Sequence, residues 1–393
     1  MIDFQAQAES MRDRLVTRRR DLHRHPEIAF EEVRTAGIVA DALRSLGLEV
    51  QTGVGKTGVV ALLDGALDGP TVLVRADMDA LPIHEENTDE YASQTAGRMH
   101  ACGHDGHVTI ALGVAELLCA QRDAIAGRIK FVFQPAEEIG RGARAMVDDG
   151  VLKDPRPDVS LGLHLWNSLP YGTVALADGA VMAGASIFHV KITGKGSHAA
   201  SPNLGVDPVV CAAQIIGGFQ TIVSRNVDPL ESLVISVTKV VAGETHNVIP
   251  QTAELTGTVR GFSRHIRDFA FERMRAVAEQ YAAALGCTAE LDFEHITIPV
   301  VNHAEVSDKL RKLFATVPEV NNISVTARTM GAEDVSVFMD DIPGAYFFLG
   351  AQDTTQTEYY GHHHPKFAFD ERALVLGTTL LTKAVASYVM NEG

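Results

Sequence analysis

The stretch Thr71-Val72-Leu73-Val74-Arg75-Ala76-Asp77-Met78-Asp79 decides the fold that this sequence predicts. It begins with a short, mostly apolar run of the kind that is buried in a parallel β-sheet. Two carboxylates, Asp77 and Asp79, follow at the carboxyl end of the run. Because open α/β sheets bind ligands at that edge, the stretch predicts an α/β fold and also the position of a site.

Two later segments repeat this arrangement. The run 128–133 is followed, after a proline, by Glu137 and Glu138, and the run 158–163 is followed by His164. Helical patterns, such as the amphipathic segment expected from Val108 to Gln121, separate these runs, which is typical of a parallel sheet flanked by helices. We therefore predict a catalytic domain with a mostly parallel sheet, in which side chains from several strand ends converge on one crevice.

The densest group of metal-capable side chains is HACGHDGH, residues 100–107. Thiolate and imidazole suit zinc, whereas added carboxylates admit manganese, cobalt or nickel. By themselves, Cys102 and His104 could also be a buried apolar thiol and a hydrogen-bonded core histidine. The acids at the other strand ends favour a metal, since buried carboxylates without a cation are costly. His100, Asp105 and His107 are expected to support the site without binding the metal.

The neighbouring carboxylates Glu137 and Glu138 indicate a mechanism. In an extended segment, successive side chains point to opposite sides, so that one can bind a metal while the other faces a water molecule. The alternative is an exposed acidic loop. A carboxylate in this position could take a proton from the water and return it to a leaving amine.

Three consecutive histidines, His362, His363 and His364, lie near the C-terminus. One of them is expected to be a ligand, because successive side chains of an extended segment diverge and cannot all reach one ion. By contrast, GVGKTG at residues 53–58 resembles two nucleotide-binding motifs but precedes a β-branched run instead of a helix. It is therefore predicted to be a hairpin turn.

A second domain is predicted within the first. Between residues 183 and 295 the pattern reads strand, helix, strand, strand, helix, strand, which is the ferredoxin-like α+β order. We predict that residues 1–182 and 296–393 form the catalytic domain and that 183–295 form the inserted domain.

Composition excludes several classes of protein. The 393 residues carry a net charge of -16, which argues against binding to nucleic acid or to anionic membranes. The sequence contains no run of roughly 20 apolar residues and no leader-like N-terminus. The four cysteines are scattered, which fits a reducing compartment. A cytoplasmic protein is expected.

Six motifs together resemble the hippurate hydrolase and indole-acetyl-amino-acid amidohydrolase branch of the aminoacylase and carboxypeptidase-G-like metallopeptidase family. They are RADMDALP (75–82), MHACGHDGH (99–107), QPAEE (134–138), GSHAA (196–200), NVIP (247–250) and HHPKF (363–367). The resemblance implies two divalent metal ions per subunit, of zinc, manganese, cobalt or nickel. It implies the ligands Cys102, His104, Glu138, His164 and His363.

The resemblance also implies roles for other residues. Glu137 would be the general base and acid, and Asp79 would orient an imidazole ligand. The inserted domain would be a lid that also forms a homodimer or a higher oligomer. His198 would stabilise the oxyanion in a partner subunit's site, and Asn247 and Arg260 would contact the substrate. From the residues alone, His198 could instead lie at a helix start, Asn247 in a turn and Arg260 on a strand surface.

The sequence therefore predicts a metal-dependent amidohydrolase that cleaves N-acyl amino acids, of acetyl, benzoyl or aryl-acetyl type, to a carboxylate and a free amino acid. A dipeptidase, a carboxypeptidase or a carbamoyl-amino-acid hydrolase on the same site is the alternative. A thiol hydrolase that uses Cys102 as its nucleophile, or a module that binds its ligand without turnover, would belong to other classes.

Overall fold

The computed structural model describes residues 2–355 and 358–390, and the chain divides into two compact units. The first unit comprises Met1–Gly179, Val301–Arg328 and Asp334–Gly393, and the second comprises Ala180–Val300 and Thr329–Glu333.

The first unit is built on an eight-stranded sheet. Its strands are β1 (Glu49–Val54), β2 (Gly58–Asp64), β3 (Leu67–Asp77), β4 (Ala126–Gln134), β5 (Val159–Pro170), β6 (Thr173–Ala175), β15 (Asn322–Ser324) and β16 (Gly344–Gln352). Their order in the sheet is β1-β2-β4-β3-β5-β16-β6-β15. The central strands β4, β3, β5 and β16 are parallel, whereas β1 and β2 form the antiparallel hairpin predicted around residues 53–58. The mixed α/β fold with a mostly parallel sheet is confirmed.

Helices cover this sheet, and their ends follow from local chemistry. They are α1 (Phe4–Ser10), α2 (Arg12–Arg24), α3 (Val33–Ser45), α4 (His104–Cys119), α5 (Gly142–Asp148), α8 (Ala304–Phe314) and α9 (Arg372–Val389). Helices α4 and α9 pack on each other and on β3, and nearly every residue of α4 is buried. Gly47, with φ +76°, lies just beyond α3, where a left-handed residue ends a helix at little cost.

Two boundaries differ from the sequence-based prediction, and both matter for the site. Helix α4 was expected to begin at Val108 but begins at His104, directly after the left-handed Gly103. Strand β5 does not end before His164 but continues to Pro170, since residues 160–166 pair in parallel with β16.

The second unit contains a four-stranded antiparallel sheet with the order β10-β12-β8-β13 and two long helices. Its elements are β8 (Gly184–Thr193), β9 (Ser197–His198), α6 (Pro208–Thr221), β10 (Leu233–Ala242), β11 (Val248–Ile249), β12 (Thr252–Gly261), α7 (Arg264–Ala284) and β13 (Thr288–His295). Two short strands, β7 (Gly179–Met182) and β14 (Val300–Asn302), lie where the chain passes between units. The predicted ferredoxin-like order of strands and helices is present.

Helix α6 shows why this unit folds as the sequence indicates. Asp207 caps its first turn by accepting hydrogen bonds from the amides of Val209 and Val210, and Pro208 occupies the first helical position. Within the described residues, no helix has both the length and the apolar character that crossing a membrane requires.

Candidate metal centre

The first unit brings all five predicted ligands into one cluster. Its atoms form overlapping sets in which every potential ligand atom lies within 4.8 Å of the others. Three of these sets together contain all five predicted ligands: Cys102 with His104 and His164, Cys102 with Glu138 and His363, and His104 with Glu137 and Glu138. Because these sets share members, the predicted base Glu137 belongs to the same group as the ligands.

His104 is aimed into the cluster by the start of α4. Its Nδ1 donates to the backbone oxygen of Asp79 at 2.8 Å, which leaves Nε2 facing the carboxylates. Nε2 lies 3.9 Å from Glu137 Oε2 and 3.9 Å from Glu138 Oε1. Among the described residues this buried nitrogen has no hydrogen-bond partner. An imidazole nitrogen in this state is a ready ligand for a cation.

His164 is oriented in the same manner. Its Nδ1 donates to the backbone oxygen of Leu165 at 2.8 Å, and its Nε2 lies 3.5 Å from Cys102 Sγ. The continuation of β5 through His164 fixes the backbone on both sides of this imidazole. The structure therefore supplies a rigid support that a strand end alone would not.

Glu137 and Glu138 lie in a turn after β4, and the prediction of an extended segment was wrong. The backbone amides of Glu137 and Glu138 donate to Asp79 Oδ1 and Oδ2, each at 3.0 Å. The preceding Ala136 has φ +52°, which an extended chain would not adopt. The turn, and not strand alternation, directs the two carboxylates.

Asp79 contacts the site through its carboxylate and also through its backbone oxygen. Its Oδ1 lies 3.4 Å from His104 Nδ1, but the hydrogen bonds that its carboxylate accepts come from the amides of the turn. The imidazole is held mainly by the backbone oxygen of the same residue. Asp79 thus connects α4 to the Glu137–Glu138 turn.

Among the three consecutive histidines, His363 is the one that faces the cluster. Its Nε2 lies 3.4 Å from Glu138 Oε2, and its backbone, with φ +65°, donates to the oxygen of Ala101 at 2.8 Å. His362 instead donates through Nε2 to the oxygen of Leu165 at 3.0 Å. The ring of His364 stacks on Tyr360.

Burial gives the cluster its electrostatic character. It raises the pKa of the Cys102 thiol well above its usual value, and the nearby Glu138 raises this pKa further. Burial opposes protonation of His104, but the negative charge of Asp77 outweighs it and holds the pKa of that imidazole well above its usual value. A thiol, three imidazoles and two carboxylates in one place match the ligands of divalent transition metals, so the residues fit the predicted ions.

Sequence reasoning missed a buried network behind the cluster. The Arg75 guanidinium contacts Asp77, Gln134 and Asp334. Asp77 in turn accepts from His107 Nδ1 at 2.6 Å, and His107 Nε2 accepts from the amide of Leu165 at 2.9 Å. Partners such as Gln134 and Asp334 are 200 positions apart, and no local pattern in the sequence links them.

The remaining predicted residues lie in the second unit. His198 is exposed in β9, and its Nδ1 accepts a hydrogen bond from the amide of Ala200. The backbone oxygen of Asn247 accepts a hydrogen bond from the amide of Ala199, the residue next to His198. The structure thus brings His198 and Asn247 together. Arg260 is half-buried on β12 and donates to the oxygen of Met330 at 3.0 Å.

Comparisons with known proteins find relatives that match nearly the whole chain. Residues 73–387 match peptidase family M20/M25/M40. Thermostable carboxypeptidase 1 of Saccharolobus solfataricus is 40% identical over 370 residues, which cover 93% of each chain. The N-acetylcysteine deacetylase of Bacillus subtilis is 40% identical and covers 93% of this chain and 94% of its own. A dinuclear metal-binding M20 peptidase of Bacillus subtilis has a similar structure, with a TM-score of 0.85, 36% identity and coverage of 97% of this chain and 99% of its own.

The geometry at the three consecutive histidines leads to a test. We expect His363→Ala to weaken binding of Zn²⁺ by more than the roughly 10- to 100-fold that the loss of a ligand's outer partner costs. His364→Ala is the matched control and should bind Zn²⁺ like the wild type, because its ring stacks on Tyr360. Competition titration against a chromophoric chelator measures both. Equal affinities in the two variants would contradict the assignment of His363.

Proposed function

The chain belongs to peptidase family M20/M25/M40 and is a hydrolase that acts on amides; on that premise we propose that it cleaves N-acyl amino acids to a carboxylate and a free amino acid. The observation that carries the proposal is that Glu137 lies in the same turn as the proposed ligand Glu138 and within the same cluster of potential ligands. A base is thereby placed beside the residues that would hold the metal.

Two divalent ions per subunit, of zinc, manganese, cobalt or nickel, would be held by Cys102, His104, Glu138, His164 and His363. When bound, such ions supply Lewis acidity to an amide carbonyl and to an attacking water. Glu137 takes the proton of that water and delivers it to the nitrogen of the leaving amino acid. Asp79 keeps the turn in place during both transfers, since it accepts the amides of Glu137 and Glu138.

Three residues of the second unit also have roles in the proposal. His198 of the partner subunit would donate to the oxyanion, and Asn247 and Arg260 would contact the carboxylate side of the substrate. The exposure of His198 supports this role, because its ring is available to another molecule.

The relatives support an N-acyl amino acid as substrate but leave a peptide as the second candidate. The deacetylase and the carboxypeptidase are both 40% identical to this chain. The same chemistry serves both bonds, because each substrate is an amide next to a carboxylate. The acyl group is what distinguishes them.

A substrate panel with inhibitors tests the reaction. We expect acetyl, benzoyl and indole-acetyl amino acids to be hydrolysed faster than dipeptides and N-carbamoyl amino acids. Chelation should abolish the activity and added metal should restore it, whereas a thiol hydrolase would lose activity on alkylation and ignore the chelator. Faster cleavage of dipeptides would favour the peptidase. No turnover of any compound at full metal loading would favour a binding module.

The role of Glu137 can be tested separately. Glu137→Gln keeps the shape of the turn but cannot accept a proton, so kcat should fall by about 10²- to 10⁴-fold with fold and metal content unchanged. Glu116→Gln, which removes a carboxylate from surface ion pairs with Arg14 and Arg18, is the control and should keep the wild-type kcat. A Glu137→Gln variant with wild-type kcat would eliminate Glu137 as the base.

Homodimer formation through the second unit is also part of the proposal. Strand β10 is an edge strand, and apart from Thr238 and Lys239 its exposed residues are Val234, Val240 and Val241. The opposite edge, β13, presents exposed Glu290, Asp292 and Glu294 instead. Charges protect an edge from pairing and apolar residues do not, so β10 is the favoured side for contact with a second copy.

We expect Val241→Lys to convert a dimer into a monomer, because a buried lysine would oppose pairing of two β10 edges. Analytical ultracentrifugation measures the mass, with Val33→Lys as the control, since Val33 is 71% exposed on α3 of the first unit. A monomeric wild-type protein would refute the dimer. A monomeric variant with full kcat would refute the role of His198 of the partner subunit.

A further inference from the structure

The turn that carries Glu137 and Glu138 does not hold its shape unaided. Ala136 has φ +52°, a left-handed conformation that is unfavourable for a residue with a Cβ. A chain segment keeps such a conformation only where its surroundings fix it. The two carboxylate oxygens of Asp79 accept the hydrogen bonds from the amides of Glu137 and Glu138. The amide of Ala136 therefore needs an acceptor on another residue.

That acceptor is Glu32, a fully buried residue that precedes α3. Glu32 Oε1 accepts from the amide of Ala136 at 2.9 Å and from the amide of Phe30 at 3.0 Å. Three successive amides, at residues 136, 137 and 138, are thus each bonded to a buried carboxylate. A charged acceptor makes each of these bonds stronger than a bond to a neutral group.

The other oxygen of Glu32 is held by the β1–β2 hairpin. Thr57 donates its hydroxyl to Glu32 Oε2 at 2.5 Å. Thr57 belongs to the glycine-rich segment that resembled a nucleotide-binding motif, and the neighbouring Lys56 lies over the ring of Phe30 at 4.0 Å. The segment therefore fixes the orientation of the Glu32 carboxylate, which is a role that its sequence did not indicate.

We propose that Glu32 is a positioning residue for the reaction, which acts through the amide of Ala136 and sets the direction of Glu137 and Glu138. The proposal deepens the proposed function and rests on it. Both Glu32 and Thr57 precede residue 73, where the match to the family begins, so the N-terminal segment contributes to the site although it lies outside that match.

The competing explanation is that Glu32 only stabilises the start of α3. The chain offers a matched control in Glu27, whose Oε1 and Oε2 accept from the amides of Arg34 and Thr35 at 2.9 Å and 2.8 Å. Loss of the Glu27 carboxylate removes two hydrogen bonds from the first turn of the same helix. None of the hydrogen bonds of its carboxylate goes to the amides of residues 136–138.

Four variants of the full chain separate the two explanations. Glu32→Ala removes the acceptor, and Glu27→Ala is the control. Glu32→Gln should restore function, because its amide oxygen can accept both amides while its NH₂ donates to a reoriented Thr57 hydroxyl. Thr57→Val removes only the anchor of Oε2, so it is the milder variant should Glu32→Ala fold poorly.

We expect kcat of Glu32→Ala to fall by about 10- to 100-fold with KM changed by less than about threefold, and its affinity for Zn²⁺ to fall in parallel. For Glu32→Gln and Glu27→Ala, kcat and the affinity for Zn²⁺ should stay within about threefold of the wild type. For Thr57→Val, both should lie between the values of the wild type and of Glu32→Ala. Hydrogen–deuterium exchange should be faster by about tenfold or more in peptides that contain residues 136–138 of Glu32→Ala, but not of Glu27→Ala.

Exchange and Zn²⁺ affinity do not require turnover, so they decide this proposal even if no N-acyl amino acid is cleaved. Equal exchange and equal Zn²⁺ affinity in Glu32→Ala and Glu27→Ala would overturn it. A Glu32→Gln variant as impaired as Glu32→Ala would also overturn it, because the hydrogen-bond geometry would then not be what matters. Absence of turnover in the wild type, with the expected exchange pattern, would refute only the proposed function.

Discussion

The site depends on the buried Asp79 and on the hydrogen bonds that it accepts. Its carboxylate accepts the amides of Glu137 and Glu138, and its backbone oxygen accepts Nδ1 of His104. One residue at the end of β3 thus sets the relative position of the turn after β4 and of the first residue of α4. Hydrogen bonds to a carboxylate in a buried place are strong, and their loss leaves charged groups without solvation.

The same low-polarity environment explains why the cluster suits a cation. Burial and the nearby Glu138 raise the pKa of the Cys102 thiol, and the charge of Asp77 raises the pKa of the His104 imidazole, so both groups hold their protons firmly when no cation is present. A divalent ion would replace protons on these groups, so that metal binding and deprotonation are coupled. Rigid second partners, such as the backbone oxygens of Asp79 and Leu165, determine which imidazole nitrogen is offered.

Relatives of equal similarity carry the names of a deacetylase and a carboxypeptidase, so similarity at this level does not distinguish the two kinds of substrate. Both names refer to cleavage of an amide, and under the proposed function the cluster would act on that bond. Selectivity for the acyl group must arise from side chains around it.

The sequence by itself determined the α/β sheet, the order of elements in the second unit and the identity of the metal-capable residues, because buried strands and amphipathic helices leave periodic patterns in a chain. Only the tertiary structure decided that Glu137 and Glu138 lie in a turn and that Glu32 and Asp334 support the site. Those outcomes depend on contacts between residues that are distant along the chain, 104 positions apart for Glu32 and Ala136. Such contacts form when strands and helices pack, and the local propensities of the sequence do not predict them.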